Sequence, residues 1–530
     1  MNVAALFRKA ARTHGKRVAL RHAGADTSYG DLDERTDRIG AGLRRLGLRP
    51  HDRLVLWVRN RPELVELLLA GWKANLTVVP VNARLHPKEV AYIVANCDAA
   101  GLAYDDRFGE AMATLGSDLP RRTIRLQVGG EAHGVATHDH LAACSDRVME
   151  DASDDDVAWL FYTSGTTGRP KGAMLTHRNL IGMTMSCLAD IWSFQPEDVV
   201  LHAAPLTHGS GLYLLPALAR GSLNVVSHHP SFQPIQIFEL IATNRVTVIA
   251  FLAPTMVTRL IEDPAIHSAD LSTLRCVPYG GGPMYVEQVK RAVDVLGPIW
   301  VQIYGQGETP MTGTYLRPQE HRYDSAEAER RLGSAGITRT DIELRVVDPE
   351  GREVPDGEVG EIVVRGVTVM KGYWNDPSAT REVLREGWLH TGDLGYLDAD
   401  GYVFIVDRAK DMIITGGNNV YPREVEEVLL AHPQIVEAAV VGIPDPDWGE
   451  SVHAVVATRP EATMTVADVT ELCRANLAAY KKPRSVEFVA ELPKNAYGKV
   501  LKRELRERYW AGRDRRIGGG SVPVPRPREE

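Results

Sequence analysis

The sequence predicts an α/β protein with a large N-terminal domain and a smaller C-terminal one. Three observations carry that expectation. The chain has 530 residues, more than one hydrophobic core normally supports. Its early part alternates strand-like and helix-like segments, the pattern of a mostly parallel sheet covered by helices. From about 332 to 406 the pattern changes to short strands and tight turns, and after 411 a second, shorter α/β unit begins.

The elements follow in order. Residues 1–17 hold a short apolar patch soon broken by charge, which reads as an amphipathic first helix and not as a secretory leader. Ser28 and Asp31 form a candidate capping box; Leu32, Ile39, Leu43 and Leu46 recur at helical spacing, and Gly47 stops the helix. Leu54–Val58 reads as a buried strand, Asn60 with Pro62 as the start of a helix running through Trp72, and Thr77–Val81 as a further strand. The polar stretch Ser145–Asp156 reads as a solvated connector to the apolar strand Val157–Tyr162, and the alternation then resumes to about Tyr304. In the shorter unit the clearest helix is Arg423–Ala431. Residues 516–530 combine Gly, Pro and charge with little to bury, so a disordered tail is expected there.

Composition narrows the class. With 44% hydrophobic and 25% charged residues the chain reads as an ordinary globular protein. A formal net charge of −8 argues against a nucleic-acid binder, which needs a basic surface to displace counterions. The cysteines Cys97, Cys144, Cys187, Cys276 and Cys473 are scattered without a CxxC pair, which predicts free thiols, no structural zinc and a reducing, cytoplasmic setting. No stretch reaches the roughly 18 to 20 apolar residues that span a bilayer.

The strand at Val157 runs directly into Thr163-Ser164-Gly165-Thr166-Thr167-Gly168-Arg169-Pro170-Lys171-Gly172. The glycines let backbone amides approach a ligand closely, and the hydroxyls and Lys171 add donors without bulk. Such a loop suits a polyphosphate. It is not a Walker A loop, because counting from Gly165 the required Gly falls on Pro170, and no GxGxxG follows a strand.

The string resembles the signature of the adenylate-forming superfamily, which includes acyl-CoA synthetases, aryl-CoA ligases, luciferases and peptide-synthetase adenylation domains. The resemblance runs from the first helices to Leu505. It implies a large AMP-binding domain over 1–408, with a β-rich subdomain at about 332–406, and a small mobile C-terminal α+β domain over 409–515. By that resemblance Thr163, Ser164, Gly165, Thr166, Thr167, Gly168 and Lys171 hold the phosphates of ATP. His208, in Pro205-Leu206-Thr207-His208-Gly209, sits beside the acyl carboxylate and the path of the thiol. Gly281 and Gly282, in Tyr279-Gly280-Gly281-Gly282-Pro283-Met284, border adenine and the acyl pocket. In Gln302-Ile303-Tyr304-Gly305-Gln306-Gly307-Glu308, the residues Gln302, Tyr304 and Gly305 border the nucleotide, Tyr304 stacks on adenine and Glu308 is a ligand for Mg²⁺. Gly307 departs from the pattern, which usually has threonine there, and the α-phosphate loses a hydroxyl partner. Asp393 and Arg408 hold the ribose, with Asp393 accepting from both hydroxyls. Lys410 is the hinge, and Gly416 and Gly417 approach the pantetheine arm of CoA.

Lys499, in Pro493-Lys494-Asn495-Ala496-Tyr497-Gly498-Lys499-Val500, resembles the catalytic lysine of adenylation. Its chemistry is plain. A carboxylate must attack the α-phosphorus of an anionic nucleotide, and a cation between them offsets the repulsion by about 4 kcal/mol at 4 Å and an effective dielectric of 20. The resemblance implies an ATP-dependent carboxylic acid–CoA ligase, forming acyl-AMP and pyrophosphate, then acyl-CoA and AMP. The apolar segments Val246–Met256 and His202–Leu215 are expected to line the acyl pocket. A medium- or long-chain fatty acid leads as substrate, with an aromatic acid second and a ligase loading a carrier protein as a further alternative. A homodimer is one expected assembly, though the residues leave oligomeric state open.

Overall fold

The computed structural model describes residues 1–116, 119–130, 135–163, 170–416, 418–495 and 499–510. Ser164, Gly165, Thr166, Thr167, Gly168, Gly417 and the expected tail at 516–530 lie outside the described residues.

The early β–α repeats divide between two sheets. Val18–His22 and Ala25–Ser28 join Val199–His202, Leu223–Val226 and Val248–Ile249 in a five-stranded sheet. Arg53–Trp57 and Thr77–Pro80 lie at the centre of a seven-stranded sheet that ends with the antiparallel pair Val157–Thr163 and Lys171–Thr176. The helix Pro62–Lys73 explains the division. Every residue from Leu64 to Lys73 is buried, and the helix touches strands of both sheets. A helix with no solvent face must be covered on all sides. Even Lys73 is enclosed, its ammonium donating to Asp33 Oδ1 at 2.6 Å and Asp37 Oδ1 at 2.7 Å.

Ser28 caps the helix Tyr29–Arg45 by accepting from the Asp31 N–H at 3.1 Å. The returning bond of a full capping box is absent; the Ser28 hydroxyl donates to Asp31 Oδ2 instead. Asn60 does not open the next helix. Arg61 occupies the N-cap and makes no side-chain cap bond. Pro62 at the first helical position has no N–H to satisfy, which lessens the need for a cap. The Asn60 side chain is thereby free for another task, described below.

A four-stranded sheet follows, ordered Val277–Gly280, Trp300–Tyr304, Thr314–Leu316 and Ile337–Thr338. The stretch expected to be β-rich contributes an antiparallel sheet of Ile342–Val347, Gly360–Gly366, Leu384–Arg385, Trp388–Leu397 and Val403–Arg408. The smaller C-terminal domain has its own sheet, in which Ile435–Asp445 and Gly449–Thr458 pair antiparallel and Ser485–Val489 runs parallel to the second. Its core includes Val425, Leu429, Val440, Val452 and Val456. No helix among the described residues is long and apolar enough to cross a membrane.

Candidate active site

Strand ends bring the site together. Val157–Thr163 delivers Thr163 to the mouth of the glycine-rich loop, and antiparallel pairing sets Lys171 directly opposite it. The Thr163 hydroxyl donates to Glu308 Oε1 at 3.1 Å, and the Tyr373 hydroxyl donates to the same oxygen at 2.8 Å. The Lys171 ammonium sits 5.3 Å from the centre of the Tyr373 ring. Glu308 is buried and its Oε1 accepts from two hydroxyls, one of them that of Tyr373, whose ring the Lys171 ammonium faces.

The strand Trp300–Tyr304 supplies a second wall. The Tyr304 hydroxyl donates to Asp393 Oδ2 at 2.8 Å, and Gln306 Nε2 donates to the same oxygen at 2.8 Å. Arg408 Nε lies 3.1 Å from Asp393 Oδ1, because the two residues are register partners on adjacent strands. The Asp393 charge raises the Arg408 guanidinium further above its ordinary value. A carboxylate offers about four acceptor positions, and three protein donors already meet Asp393. Accepting from both ribose hydroxyls therefore requires one protein donor to let go. Gln302 is bonded within the frame: its Nε2 donates to the Ser334 carbonyl at 3.0 Å, and it accepts from the Tyr279 hydroxyl at 3.1 Å. Gly305 has no room for a side chain, since a Cβ would stand 2.6 Å from the Met311 backbone.

His208 precedes the helix Gly209–Arg220, and its ring centre is 4.9 Å from that of Phe161. Burial, followed by the Lys499 charge, pushes its imidazole down to about 4, so it is neutral at pH 7. Beyond His208 the wall is apolar. A Cβ on Gly209 would lie 2.8 Å from Phe251 and 2.9 Å from the Met311 sulfur, and the Phe251 ring also faces Gly281. Tyr213 stacks on Phe251 at 6.5 Å and 19°. Gly282 faces Pro254. These are the two segments expected to line the acyl pocket.

Lys499 comes from the C-terminal domain, in a turn closed by its N–H donating to Asn495 Oδ1 at 2.9 Å. The Arg408 charge is the largest influence on its ammonium, followed by burial, and together they pull it down to about 8 against the opposing effect of Asp393. Its side chain is accessible to water, so the neighbouring charges, more than dehydration, set its proton affinity. The structure thus gathers Lys499, His208, Arg408 and Asp393. Lys410 joins them, its ammonium lowered by burial and then by Arg408. Gly416 is farther along the C-terminal domain, in a left-handed turn at φ +56° where a Cβ would meet the Trp448 ring at 2.3 Å.

Several contributors escape sequence reasoning. Asn60 Nδ2 donates to the Ala204 carbonyl and its Oδ1 accepts from the Leu206 N–H, both at 2.9 Å, clamping the loop that leads to His208. Tyr373 and Met311 are equally unmarked by any local pattern, and Gln306 lies within the motif at 302–308 at a position to which the resemblance gives no role. Gly307 has a structural reason. A Cβ there would lie 2.6 Å from Phe161 Cδ1 and 2.6 Å from Thr163 Cγ2, so the Phe161 ring fills the space a threonine would need. Thr309 does not replace the hydroxyl, because it closes its own turn by accepting from the Gln306 N–H at 3.1 Å.

Comparison with known proteins matches this geometry. The AMP-binding enzyme family pattern covers residues 7–374, and that of the AMP-binding enzyme C-terminal domain covers 424–499. A feruloyl-CoA synthase of an Amycolatopsis species is 39% identical over 502 residues, covering 94% of this chain and 97% of the relative. A medium/long-chain-fatty-acid–CoA ligase of Mycobacterium tuberculosis is 38% identical over 509 residues, 92% of this chain and 87% of the relative. The crystal structure of ATP-bound MatB from Rhodopseudomonas palustris superposes with a TM-score of 0.85 at 33% identity, covering 96% of this chain and 99% of that one. The chain accordingly belongs to the AMP-binding enzymes, the adenylate-forming superfamily in its acyl-CoA synthetase branch, and is an AMP-forming acid–thiol ligase.

Proposed function

We propose that the chain couples an aromatic carboxylic acid to CoA through an acyl-adenylate. The observation that carries the mechanism is the meeting of Lys499 with Arg408, Asp393 and His208 across the two domains. The Lys499 cation lies between acid and α-phosphate while a carboxylate oxygen bonds to phosphorus and pyrophosphate departs. Thr163, Lys171 and the loop 164–168 hold the phosphates; Tyr304, Gly305, Gln302, Gly281 and Gly282 frame the adenine; Asp393 and Arg408 take the ribose. Among the described residues no group of three or more His, Cys, Asp or Glu side chains is placed to hold a metal. A Mg²⁺ here would be shared between Glu308 and phosphate oxygens, a donor set that ion favours. When bound it supplies positive charge to the leaving pyrophosphate. In the second half-reaction the thiol sulfur bonds to the acyl carbon and AMP leaves. Neutral His208 adds no charge to that path. For this step Lys499 must withdraw, and Lys410, at the division between 1–408 and 409–515, is the hinge that lets the smaller domain turn and present Gly416 and Gly417.

The aromatic acid is favoured over the medium- or long-chain fatty acid by the pocket wall. Tyr213 stacks on Phe251, and the Phe251 ring lies against the glycines at 209 and 281, so the wall presents aromatic faces on which a planar group can stack. The feruloyl-CoA synthase relative agrees, whereas the Mycobacterium relative supports the fatty acid. Pyrophosphate release measured over aryl acids and fatty acids of graded length decides between them, and repeating the assay with CoA or a carrier protein identifies the acceptor. A hydroxycinnamic acid is expected to lead. Faster turnover of a long-chain acid would overturn the assignment. Lys499→Ala is expected to slow adenylate formation by about two to three decades while sparing thioester formation from supplied adenylate. Equal losses in both half-reactions would refute the role of Lys499.

A further inference from the structure

Near Tyr213 lies a buried charge that the chemistry above does not use: Arg339, paired with Asp190 and 5.8 Å from the centre of the Tyr315 ring. Arg339 is 3% exposed. Its Nε donates to Asp190 Oδ2 at 2.8 Å, and its Nη2 is buried with no hydrogen-bond partner among the described residues. Asp190 is well supplied without it, accepting also from the Thr340 N–H at 3.0 Å and the Thr340 hydroxyl at 2.5 Å. An orphaned N–H on a buried guanidinium is costly and calls for an explanation.

Its position supplies one. The Arg339 N–H donates to the Gly313 carbonyl, and the Gly313 N–H donates to the Tyr304 carbonyl, so Arg339 is two backbone bonds from the nucleotide wall. On its other side the Arg339 charge reaches the Tyr213 hydroxyl, and Tyr213 is the ring stacked on Phe251. The charge acting on His208, at the carboxylate end, is that of Lys499. Gly313 lies two residues after Met311, whose sulfur closes on Gly209 in the acyl wall, so Arg339 stands on the Met311 side of that wall.

We propose that Arg339 is a specificity-determining residue whose free Nη2 donates to an oxygen at the far end of the acid, so that the substrate is a carboxylic acid bearing a neutral distal acceptor, such as a phenol or aryl ether. Charge balance selects the neutral acceptor. Asp190 already offsets the guanidinium, and a second carboxylate would enter the buried pair without a counter-charge. The Tyr213 phenol, protonated throughout the physiological range, adds no negative charge to repel the incoming oxygen. A site built to bond a polar substrate group rejects the analogue that lacks it, because the buried donor is then left unpaired.

The inference rests on the aromatic-acid reading, and one experiment separates their failures. Pyrophosphate release is measured with cinnamic, 4-hydroxycinnamic and 4-methoxycinnamic acids for the wild type, Arg339→Lys and Arg339→Met. Arg339→Lys keeps a cation facing Asp190 and guards against a variant that merely fails to fold. The wild type is expected to prefer the oxygenated acids in kcat/KM by about tenfold or more. Both variants should bring that ratio near one, with cinnamic acid itself changed by less than about threefold. Absence of the preference in the wild type, or an equal loss on all three acids in the variants, overturns the role of Arg339. If none of these acids is adenylated, the aromatic-acid reading fails. Calorimetric binding of the same acids, with the same preference expected, then still reads Arg339, and equal binding would overturn its role.

Discussion

Lys499 shows how much a single site is governed by its neighbours. Its ammonium is brought to about 8, chiefly by Arg408, well below the ordinary lysine value. The folded enzyme therefore loses this cation as pH rises through about 8, and keeps it below. The adenylation kcat/KM is expected to fall above that pH. In Lys499→Arg, whose guanidinium stays charged, the limb should vanish even if the rate is lower. A pH profile of pyrophosphate release checks this; an unchanged limb in the arginine variant would assign it to another group. Gly307 makes a second case. Threonine there collides with Phe161 and Thr163, and overpacking of this kind costs about 1–3 kcal/mol. Gly307→Thr should lower both thermal stability and adenylation. In a Phe161→Leu background the same Gly307→Thr change should cost less stability than in the wild type, and an equal cost would show that Phe161 is not what excludes the side chain. The motif departure was visible in the sequence as a lost hydroxyl. Its cause was not, because Phe161 lies on a different strand and only the folded register sets its ring under Gly307.

At the scale of elements, contiguous strings were legible and cross-chain supports were not. Glu308, Asp393, Arg408 and Lys499 each sit in a short run that resembles a motif of the superfamily. Asn60 does not, since its partners Ala204 and Leu206 are 144 and 146 residues away. From the sequence Asn60 reads as a helix start, a task that Arg61 and Pro62 perform without it. The same reading merged the first β–α repeats into one sheet, whereas the fully buried helix Pro62–Lys73 keeps two sheets apart. Periodicity shows that a segment is strand-like but carries no address for its partner. Asn60→Ala removes two bonds that hold the approach to His208, each worth about 0.5–1.5 kcal/mol. Thioester formation is expected to fall by about tenfold or more, with nucleotide binding little changed. Loss confined to nucleotide affinity would remove Asn60 from this role.

For the whole molecule the decisive feature is the seam between the domains. The Tyr285 hydroxyl donates to Glu426 Oε2 at 2.8 Å, and Glu427 Oε1 accepts from the Val286 N–H at 2.9 Å. Val286 opens the helix Val286–Leu296, so a carboxylate of the smaller domain caps a helix of the larger one, where the helix dipole favours negative charge. Tyr285→Phe combined with Glu427→Ala should weaken the arrangement that presents Lys499. Adenylation is expected to slow by about five- to tenfold while thioester formation from supplied adenylate stays within twofold. Equal slowing of both would show that the seam merely stabilises the fold.

Arg408, Lys410 and Lys499 bring three positive charges to the faces that meet, with Asp393 and Asp411 set among them. Electrostatically the triphosphate is then a counter-ion as much as a reactant. In the proposed cycle its charge adds to that of Asp393 and Asp411 in offsetting the cations, which couples docking of the smaller domain to how many phosphates arrive. On the proposed roles the same logic times the release: pyrophosphate carries most of that added negative charge away, and the repulsion among the cations is then available to push the lysine from the adenylate.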